Sequence, residues 1–307
     1  MSNPLVYIIL VNWNGFDDTL ECIASLKKLN YPNYKILVID NGSREIPVFD
    51  PDILLIKTYQ NLGFAEGNNV GIRYALAKGA DAIWLLNNDT IVKPDALTAY
   101  INQLPYAHIL GAKLMRYDQR DTFDHLGGRW NPKRGHFDLI ALGAADQGQH
   151  DNPQPLDYVC GASLFATNET FKTVGLLESR FFLYWEESDW CARAKKAGFC
   201  ITTCPKAVVY HKGSASMPCG KPYTTYYDWR GRLLWIRRNC SSKERLRLFK
   251  SVIAPEVYKI YKHWCLRKIQ SFIKRIPHHE LPKLEAAIAG IKDYTYHRTG
   301  MRIQNKS

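Results

Sequence analysis

The sequence predicts an α/β fold with a mostly parallel central sheet and helices on both faces. In the first ninety residues, short apolar runs alternate with stretches that have the 3.6-residue period of a helix, an order typical of parallel sheets. The predicted strands are residues 6–11, 35–39, 53–58 and 82–86, and the predicted helices are residues 17–29 and 67–78. Polar residues come directly after several of the strands, which places candidate binding groups at one edge of the sheet.

Composition indicates an ordinary globular chain with an unevenly placed charge. The 307 residues are 46% hydrophobic and 23% charged, which excludes an intrinsically disordered protein. Residues 221–307 contain 20 Lys and Arg against 6 Asp and Glu, a net charge of +14, whereas residues 1–220 carry −2. We therefore predict two parts, 1–220 and 221–307, the second basic and mainly helical, with helical stretches at 244–253 and 257–273.

The basic part interleaves its charges with aromatic residues, which predicts contact with an anionic membrane surface. A solvated helical bundle that packs on the rest of the chain is the alternative. No recognised nucleic-acid-binding motif accompanies the charge, so no nucleic-acid partner is expected.

Targeting and cysteine patterns predict a cytoplasmic protein, with peripheral contact to the inner face of a membrane left open. The first apolar run lacks the basic segment and cleavage site of a signal peptide, and no apolar run approaches the ~20 residues that span a bilayer. The eight cysteines form no CxxC pair and are predicted to be free thiols. A metal site at Cys191, Cys200 and Cys204 is the less favoured alternative.

The most informative polar cluster is Asn87-Asn88-Asp89, which comes directly after the apolar run at 82–86. A run of that length between polar residues predicts a buried strand, so its end delivers a carboxylate and two amides to the edge of the sheet. That edge is where open α/β sheets bind ligands. A plain strand-ending turn is the alternative for the tripeptide alone.

Two later clusters add chemistry. Glu186-Glu187-Ser188-Asp189 follows an aromatic stretch at 180–185, and His211 follows a β-like run at 207–210. Carboxylates together with an imidazole indicate a metal-assisted group transfer.

Five stretches resemble family 2 glycosyltransferases, and most closely their rhamnosyltransferase-like and galactofuranosyltransferase-like branch. They are VNWNG at 11–15, VIDNGS at 38–43, NLGFAEGNNVGI at 61–72, LLNND at 85–89 and the block from VCGASLFA at 159–166 to YHKGSAS at 210–216. The resemblance spans roughly residues 4–240. It implies the Rossmann-like GT-A fold, with a nucleotide-sugar half at 1–114 and an acceptor and catalytic half at 115–220. The Gly- and Asp-rich segment 115–157 is expected to be an irregular functional excursion.

The resemblance also implies a nucleotide-sugar donor. Asp40 matches the residue that accepts the pyrimidine N3–H, so a UDP- or dTDP-linked donor is expected. Glycines at 63, 67 and 71 do not fit the G-x-G-x-x-G spacing, so a dinucleotide site is not supported. The implied donor-binding residues are Val11, Asn12, Asn14, Asp40, Asn61, Gly63, Asn68, Asn87 and Asn88.

A divalent metal, Mn²⁺ or Mg²⁺, is implied at Asp89 and His211. Asp89 matches the last aspartate of the family's DxD motif, and a histidine at the position of His211 completes the metal site in related enzymes. This chain has Asn87 where the motif usually has its first aspartate. Asn87 therefore either weakens the metal site or contacts the ribose instead.

Inversion at a sugar carbon needs a base on the face opposite the leaving group. The resemblance places that base in the Glu186–Asp189 cluster, with Glu186 favoured over Glu187. Asp189, also a candidate catalytic residue, is more simply explained as an N-terminal carboxylate for a helix at 190–196.

The expected activity is that of an inverting, metal-dependent glycosyltransferase that moves a sugar to a glycan or lipid-linked acceptor in cell-surface polysaccharide synthesis. A nucleotidyltransferase is the alternative enzyme class, because it shares a nucleotide-binding α/β domain and a metal. A non-catalytic member that binds nucleotide-sugar or glycan is a third possibility, motivated by Asn87.

Overall fold

A mixed sheet organises the chain in the computed structural model, which describes residues 3–45, 48–213 and 221–301. The strands are β1 (Val6–Asn12), β2 (Tyr34–Asp40), β3 (Leu54–Lys57), β4 (Ala82–Asn87), β5 (Thr90–Val92), β6 (Ile109–Arg116), β7 (Gly128–Asn131), β8 (His136–Leu139), β9 (Ser163–Thr167) and β10 (Ile201–His211). Eight of them form one sheet in the order β3-β2-β1-β4-β9-β6-β10-β5, and β7 and β8 form a separate hairpin. Within the large sheet only β9 and β5 run against the other six, so the predicted, mostly parallel sheet is confirmed.

Helices cover both faces of the sheet, as predicted. They are α1 (Phe16–Leu26), α2 (Gly63–Ala77), α3 (Ala96–Gln103), α4 (Asn168–Val174), α5 (Glu186–Lys196), α6 (Pro222–Asn239), α7 (Ser242–Leu248), α8 (Ala254–Lys274) and α9 (Leu281–Thr295). Along β1, Tyr7 and Ile9 belong to an apolar cluster that includes residues of α2, α4 and α5. Ile8 and Leu10 belong to a second cluster with residues of α1 and α3. Because successive side chains of a strand point to opposite faces, a nearly continuous apolar run fills both layers.

The register of the parallel strands brings their carboxyl ends to one edge. Asn12 of β1 lies beside Asp40 of β2, and Val11 lies beside Asn87 of β4. The polar residues that follow these strands therefore gather at the same edge of the sheet.

Helix α2 begins at Gly63, four residues before the predicted start. Gly63 has a φ of +82°, a conformation that favours glycine, and its N–H donates to Asn61 Oδ1 at 2.8 Å. Asn68 and Asn69 consequently lie inside the helix rather than at its start, and both are buried. Asn69 forms two hydrogen bonds of 2.9 Å to the backbone of Leu177, which joins α2 to the segment before α5.

The segment 115–157 contains the hairpin of β7 and β8, which the sequence did not predict. Gly127 has a φ of +99°, and a Cβ there would lie 2.4 Å from the carbonyl oxygen of Tyr158. This close backbone approach requires glycine. The residue types in this segment are therefore set by tertiary contacts, and they do not show the alternating pattern that would predict strands.

The C-terminal part is helical, as predicted, and packs on the hairpin. Arg232 of α6 donates to the carbonyls of Arg134 and Gly135 in the β7–β8 turn, at 2.9 and 2.8 Å. At the crossing of α6 and α9, a Cβ on Gly290 would lie 2.4 Å from the carbonyl oxygen of Tyr226. Of the helices in the described ranges, none is both long enough and apolar enough to cross a bilayer.

Asp189 lies inside α5 and not ahead of it, because the helix already begins at Glu186. Its side chain is fully buried. It accepts hydrogen bonds from Arg193 at 3.0 Å, and from Arg238 and Asn239 of α6 at 2.7 and 2.9 Å. Asp189 is thus an acidic residue of the first turn of α5, as expected, and in addition it connects α5 to α6.

We expect Asp189→Asn to lower the free energy of unfolding by about 2–4 kcal/mol, because it removes one partner of a buried charge network. Urea denaturation measures the change. Asp50→Asn is the control, since Asp50 pairs with Lys27 at 2.6 Å but is 71% exposed, and its loss is expected to cost less than about 1 kcal/mol. Equal small effects of the two variants would contradict the structural role of Asp189.

Candidate active site

A cavity of about 150 Å³ opens at the carboxyl edge of β1 and β4. We call it the donor cavity. Predicted site residues in its lining are Val11, Asn61, Gly63, Asn87, Asn88 and Asp89. Lining residues that the sequence analysis did not single out are Trp13, Gly15, Asp18, Asn41, Phe64, Phe182, Leu183, Tyr184 and Tyr223.

Four predicted donor residues lie outside the described lining of this cavity: Asn12, Asn14, Asp40 and Asn68. Asp40 is 1% exposed and accepts from Asn12 Nδ2 at 2.9 Å. Asn14 has a φ of +54°, and its Oδ1 accepts from the Arg44 N–H at 2.9 Å. Asn68 Nδ2 donates to the Phe64 carbonyl at 2.9 Å. These side chains bond to the protein around the cavity, and their predicted donor contacts stay predictions.

Asn41 shapes the donor cavity although the sequence analysis did not single it out as a site residue. Its Nδ2 donates to the Gly63 carbonyl at 3.1 Å and to Asn61 Oδ1 at 3.2 Å, and its Oδ1 accepts from the Leu62 N–H at 3.0 Å. The side chain thus holds the loop that opens α2 against the end of β2. The sequence signal that could have identified Asn41 as a site residue is its position directly after Asp40, at the end of a strand.

Asn88 has a structural role in addition to its place in the lining. Its Nδ2 donates to Thr19 Oγ1 at 2.9 Å and to the Gly15 carbonyl at 3.3 Å. The first turn of α1 is thereby tied to the end of β4.

His211 joins two carboxylates that are distant in sequence. Its Nε2 lies 3.3 Å from Asp89 Oδ1, and its Nδ1 lies 2.7 Å from Asp124 Oδ2. Burial disfavours the charged imidazole, but the hydrogen bonds to Asp124 and Asp89 outweigh this effect and raise the pKa of His211 to about 10. Asp124, which the sequence analysis missed, lies in the irregular segment 115–157, where no periodicity or motif marked it.

The structure thus brings the two predicted metal ligands together. Over the three described ranges, however, no group of three or more His, Cys, Asp or Glu side chains is arranged to hold a metal ion. Asn87 Nδ2 lies 3.5 Å from His211 Nε2, so the amide that replaces the usual aspartate is adjacent to the same imidazole.

The acidic cluster follows a backbone segment with unusual geometry. Phe182, Tyr184 and Trp185 have φ values of +66°, +64° and +75°, all in the left-handed region that non-glycine residues rarely adopt. Such conformations cost about 1–3 kcal/mol each and persist where surrounding contacts impose them. Here the Trp185 indole donates to Asp228 Oδ1 at 2.9 Å, and the Phe182 carbonyl accepts from the Phe64 N–H at 2.6 Å.

Glu186 and Glu187 occupy the first turn of α5 in different environments. Glu186 is 2% exposed, whereas Glu187 is half-buried. Burial and the neighbouring Glu187 carboxylate raise the pKa of Glu186 well above its usual value. Burial also raises the pKa of Glu187, but backbone hydrogen bonds and the charge of His125 oppose the rise. The pKa of Glu186 is therefore raised more strongly than that of Glu187.

Glu187 lines a second cavity, of about 550 Å³, which we call the aromatic cavity. Its walls come from the β7–β8 hairpin, the 184–188 segment and α6. Its aromatic lining residues are His136, Phe137, Tyr158, Tyr184, Trp185 and Trp229. Tyr184 also lines the donor cavity, so this residue borders both cavities.

The Rossmann-like sheet with a polar cavity at its carboxyl edge, together with the solved structures it resembles, confirms the predicted GT-A fold. Residues 7–151 match the model of the family described as Glycosyl transferase family 2, and this match together with the named relatives supports a glycosyltransferase. The resemblance to its rhamnosyltransferase-like and galactofuranosyltransferase-like branch is confirmed by the relatives.

Two curated relatives are similar over most of their lengths. The low-salt glycan biosynthesis hexosyltransferase Agl10 of Haloferax volcanii is 27% identical over 74% of this chain and 74% of its own. The dTDP-rhamnosyl transferase RfbF of Shigella flexneri is 24% identical over 77% of this chain and 81% of its own. Among solved structures, the mannosyltransferase PcManGT from Pyrobaculum calidifontis, in complex with GDP-Man and Mn²⁺, matches with a TM-score of 0.55 and 12% identity. That alignment covers 97% of this chain and 89% of the mannosyltransferase, and it shows the shared fold.

We expect Asp124→Asn to lower the pKa of His211 by about 1–3 pH units, because it removes one of two carboxylates that stabilise the imidazolium. NMR titration of the His211 ring protons measures the pKa. Asp118→Asn, an exposed change in the same segment, serves as the control and is expected to leave it unchanged. An unaltered His211 pKa in Asp124→Asn would show that Asp124 does not orient the imidazole.

Proposed function

We propose that the chain is an inverting, metal-dependent glycosyltransferase that moves a sugar from a pyrimidine nucleotide diphosphate to a glycan or lipid-linked acceptor. The observation that carries the proposal is the arrangement of two cavities about Tyr184. One contains Asp89, which contacts His211, and the other contains the Glu187 carboxylate. A donor and an acceptor bound in the two cavities would both lie next to Tyr184.

The donor set around His211 fits a divalent cation such as Mn²⁺ or Mg²⁺. Asp124 on Nδ1 orients the imidazole so that Nε2 faces Asp89, and a cation bound at Nε2 would displace the proton that the imidazolium carries there. Asp89 and His211 would hold the ion, and the donor diphosphate would complete its ligands. When bound, the ion neutralises charge that develops on the departing diphosphate. Asn87 contributes no charge, so the site depends on Asp89.

Glu187 is the base that we favour, in place of Glu186, which the sequence analysis preferred. A base must be ionised, and of this adjacent pair Glu187 is the residue whose pKa is raised less strongly. Glu187 also lines the aromatic cavity, where an acceptor hydroxyl could reach it. Burial raises the pKa of Glu187, which makes its carboxylate a stronger proton acceptor than an unperturbed one.

The aromatic cavity is suited to an acceptor sugar, because aromatic rings offer flat apolar faces and the rim carries polar groups. The β7–β8 hairpin supplies His136, Phe137 and Leu139 to its walls, which supports an acceptor role for the 115–220 half. The name of the Haloferax relative refers to glycan biosynthesis, which supports a glycan product.

For the donor, Asp40 supports a pyrimidine nucleotide. Its carboxylate accepts from Asn12 Nδ2 and from the Ser43 N–H, and a carboxylate has about four acceptor sites, so capacity remains for a base N–H. The Shigella relative is named as a dTDP-rhamnosyl transferase, which favours the same choice. The mannosyltransferase with GDP-Man shares only the fold.

Helix α8 supports peripheral contact with an anionic membrane, on the cytoplasmic side where lipid-linked acceptors are expected. None of its described residues is buried. Tyr258, Ile269, Phe272 and Ile273 are 56–86% exposed and share one face at 100° per residue. Lysines at 259, 262, 268 and 274 accompany them on the same helix. An exposed apolar face with basic neighbours is typical of interfacial helices.

Calorimetry with UDP, dTDP and GDP tests the metal and the nucleotide together. We expect UDP or dTDP to bind more tightly than GDP, binding to require Mn²⁺ or Mg²⁺, and Asp89→Ala to abolish the metal-dependent part. Asp118→Ala is the exposed control. Full transfer activity in EDTA would refute the metal requirement, and tighter binding of GDP would refute the pyrimidine preference.

Kinetics on two isosteric variants tests the base. Glu187→Gln should keep donor binding but lower the rate of transfer by about 10²–10⁴-fold, the usual cost of losing a general base. Glu186→Gln should be much milder, because glutamine resembles the protonated form of the acid, which the raised pKa of Glu186 favours. A larger loss of transfer rate in Glu186→Gln than in Glu187→Gln would identify Glu186 as the base.

Vesicle flotation tests the membrane face of α8. We expect the protein to float with vesicles that contain phosphatidylglycerol and not with neutral phosphatidylcholine vesicles, since each basic residue near an anionic surface contributes about 1 kcal/mol. The double variant Ile269→Ser/Phe272→Ser should lose most of this binding. Val48→Ser/Tyr59→Ser, at residues 91% and 108% exposed elsewhere, is the matched control. Equal flotation with both vesicle types would show that anionic lipid is not required for binding. Unchanged flotation of the α8 variant would show that α8 does not contact the membrane.

A further inference from the structure

A cavity of about 470 Å³ beside α6 and the end of α9 is lined by six arginine side chains. We call it the arginine cavity. Its residues differ from those of the donor cavity, so the two are separate sites. The arginines come from four parts of the chain, namely Arg180 before α5, Arg230, Arg237 and Arg238 on α6, Arg245 on α7 and Arg298 after α9.

Carboxylates balance only half of these charges. Glu178, Asp189 and Asp293 pair with three of the arginines, which are Arg180, Arg238 and Arg298. Within the described residues no carboxylate pairs with the other three. Three of the six arginines in the cavity therefore have no carboxylate partner among the described residues. Because like charges repel, this excess of positive charge is unfavourable unless an anion binds.

Arg230 is the clearest sign that an anion belongs here. It is 3% exposed, and its Nη atoms donate to neutral oxygens, including the carbonyls of Gly300 at 2.8 Å and Phe181 at 2.9 Å. Its guanidinium also lies over the rings of Tyr226 and Tyr227, at 5.3 and 4.8 Å from their centroids, which offsets part of the charge. Its Nε is buried and has no hydrogen-bond partner. A buried charge with an unused donor is costly unless a ligand compensates it.

Arg237 and Arg245 bring two more guanidinium groups that bond to neutral atoms. Arg237 Nη1 lies 3.2 Å from His297 Nδ1. Arg245 donates to the Arg237 carbonyl at 3.3 Å and to Ser242 Oγ at 2.9 Å. Unlike Arg230, neither is fully buried, so a ligand that enters from solvent can reach them.

We propose that the arginine cavity binds a phosphoryl-bearing anion, separately from the nucleotide-sugar donor. Guanidinium groups present paired N–H donors that match phosphate oxygens, and three of them without carboxylate partners suit a group with two or more negative charges. The cavity volume exceeds that of a single phosphate and falls in the range of ligand sites, so a diphosphate or a phosphate with an attached group fits. The ligand is either a phosphorylated lipid headgroup or a soluble phosphorylated molecule.

The site adjoins the backbone that shapes the active site. Arg230 holds the Phe181 carbonyl, and the next carbonyl, of Phe182, accepts from Phe64 in the donor cavity. A bound anion would therefore stabilise a segment that leads directly to Glu187.

Calorimetry with inorganic pyrophosphate, on the full chain in EDTA at low salt, tests the proposal. EDTA and an Asp89→Ala background prevent metal-dependent binding in the donor cavity, so failure here is distinguishable from failure of the proposed glycosyl transfer. We expect pyrophosphate to bind, and Arg237→Gln/Arg245→Gln to weaken binding by at least about tenfold, because charge-assisted hydrogen bonds are lost. These arginines are not fully buried and lack carboxylate partners, so the fold should persist, which circular dichroism checks.

Lys243→Gln/Lys250→Gln removes the same charge from exposed positions near the cavity and is the matched control. Flotation with vesicles that contain phosphatidic acid then separates the sources. Loss of pyrophosphate and vesicle binding in the arginine variant alone supports a lipid headgroup, whereas loss of pyrophosphate binding alone supports a soluble ligand. Absence of pyrophosphate binding, or equal weakening in the control pair, overturns the proposal.

Discussion

The register of β1 between β2 and β4 is the constraint on which the active site depends. It sets Asn12 beside Asp40 and Val11 beside Asn87, so the polar residues that follow three buried strands meet at one edge. A slip of one residue would turn each strand's buried face towards the other layer, which the two apolar clusters on opposite faces oppose. Hydrophobic packing therefore positions groups that themselves contribute little to stability.

Two features lie next to this edge: a backbone segment with left-handed residues and the pair of glutamates that follows it. The left-handed backbone at Phe182, Tyr184 and Trp185 turns the chain so that adjacent acids at the start of α5 enter different environments. Glu186 is buried and has the more strongly raised pKa, whereas Glu187 lines the aromatic cavity. Because desolvation and mutual repulsion prevent both from ionising easily, a single turn of helix distinguishes two residues of the same type.

The positive charge of the C-terminal part is arranged in two ways, which favour two different kinds of electrostatic interaction. On α8 it accompanies an exposed apolar face, where it acts at long range and is screened by salt. In the arginine cavity it converges on a small volume, where it favours a ligand with complementary geometry. Asp189 links this part to α5 through Arg238, so the basic helices support the start of α5, where Glu186 and Glu187 lie.

The sequence by itself determined the α/β class, the strands of the first half, the helical character of the basic part, and the candidates Asp89 and His211, because these depend on local periodicity and on short motifs. The start of α2 at Gly63 was missed because long-range bonds from Asn41 organise the preceding loop. Only the tertiary structure identified Asp124 as the partner of His211, 87 residues away, and Arg238 as the partner of Asp189, 49 residues away. The choice between Glu186 and Glu187 also required it, since burial and electrostatic environment are produced by segments that meet only when the chain folds.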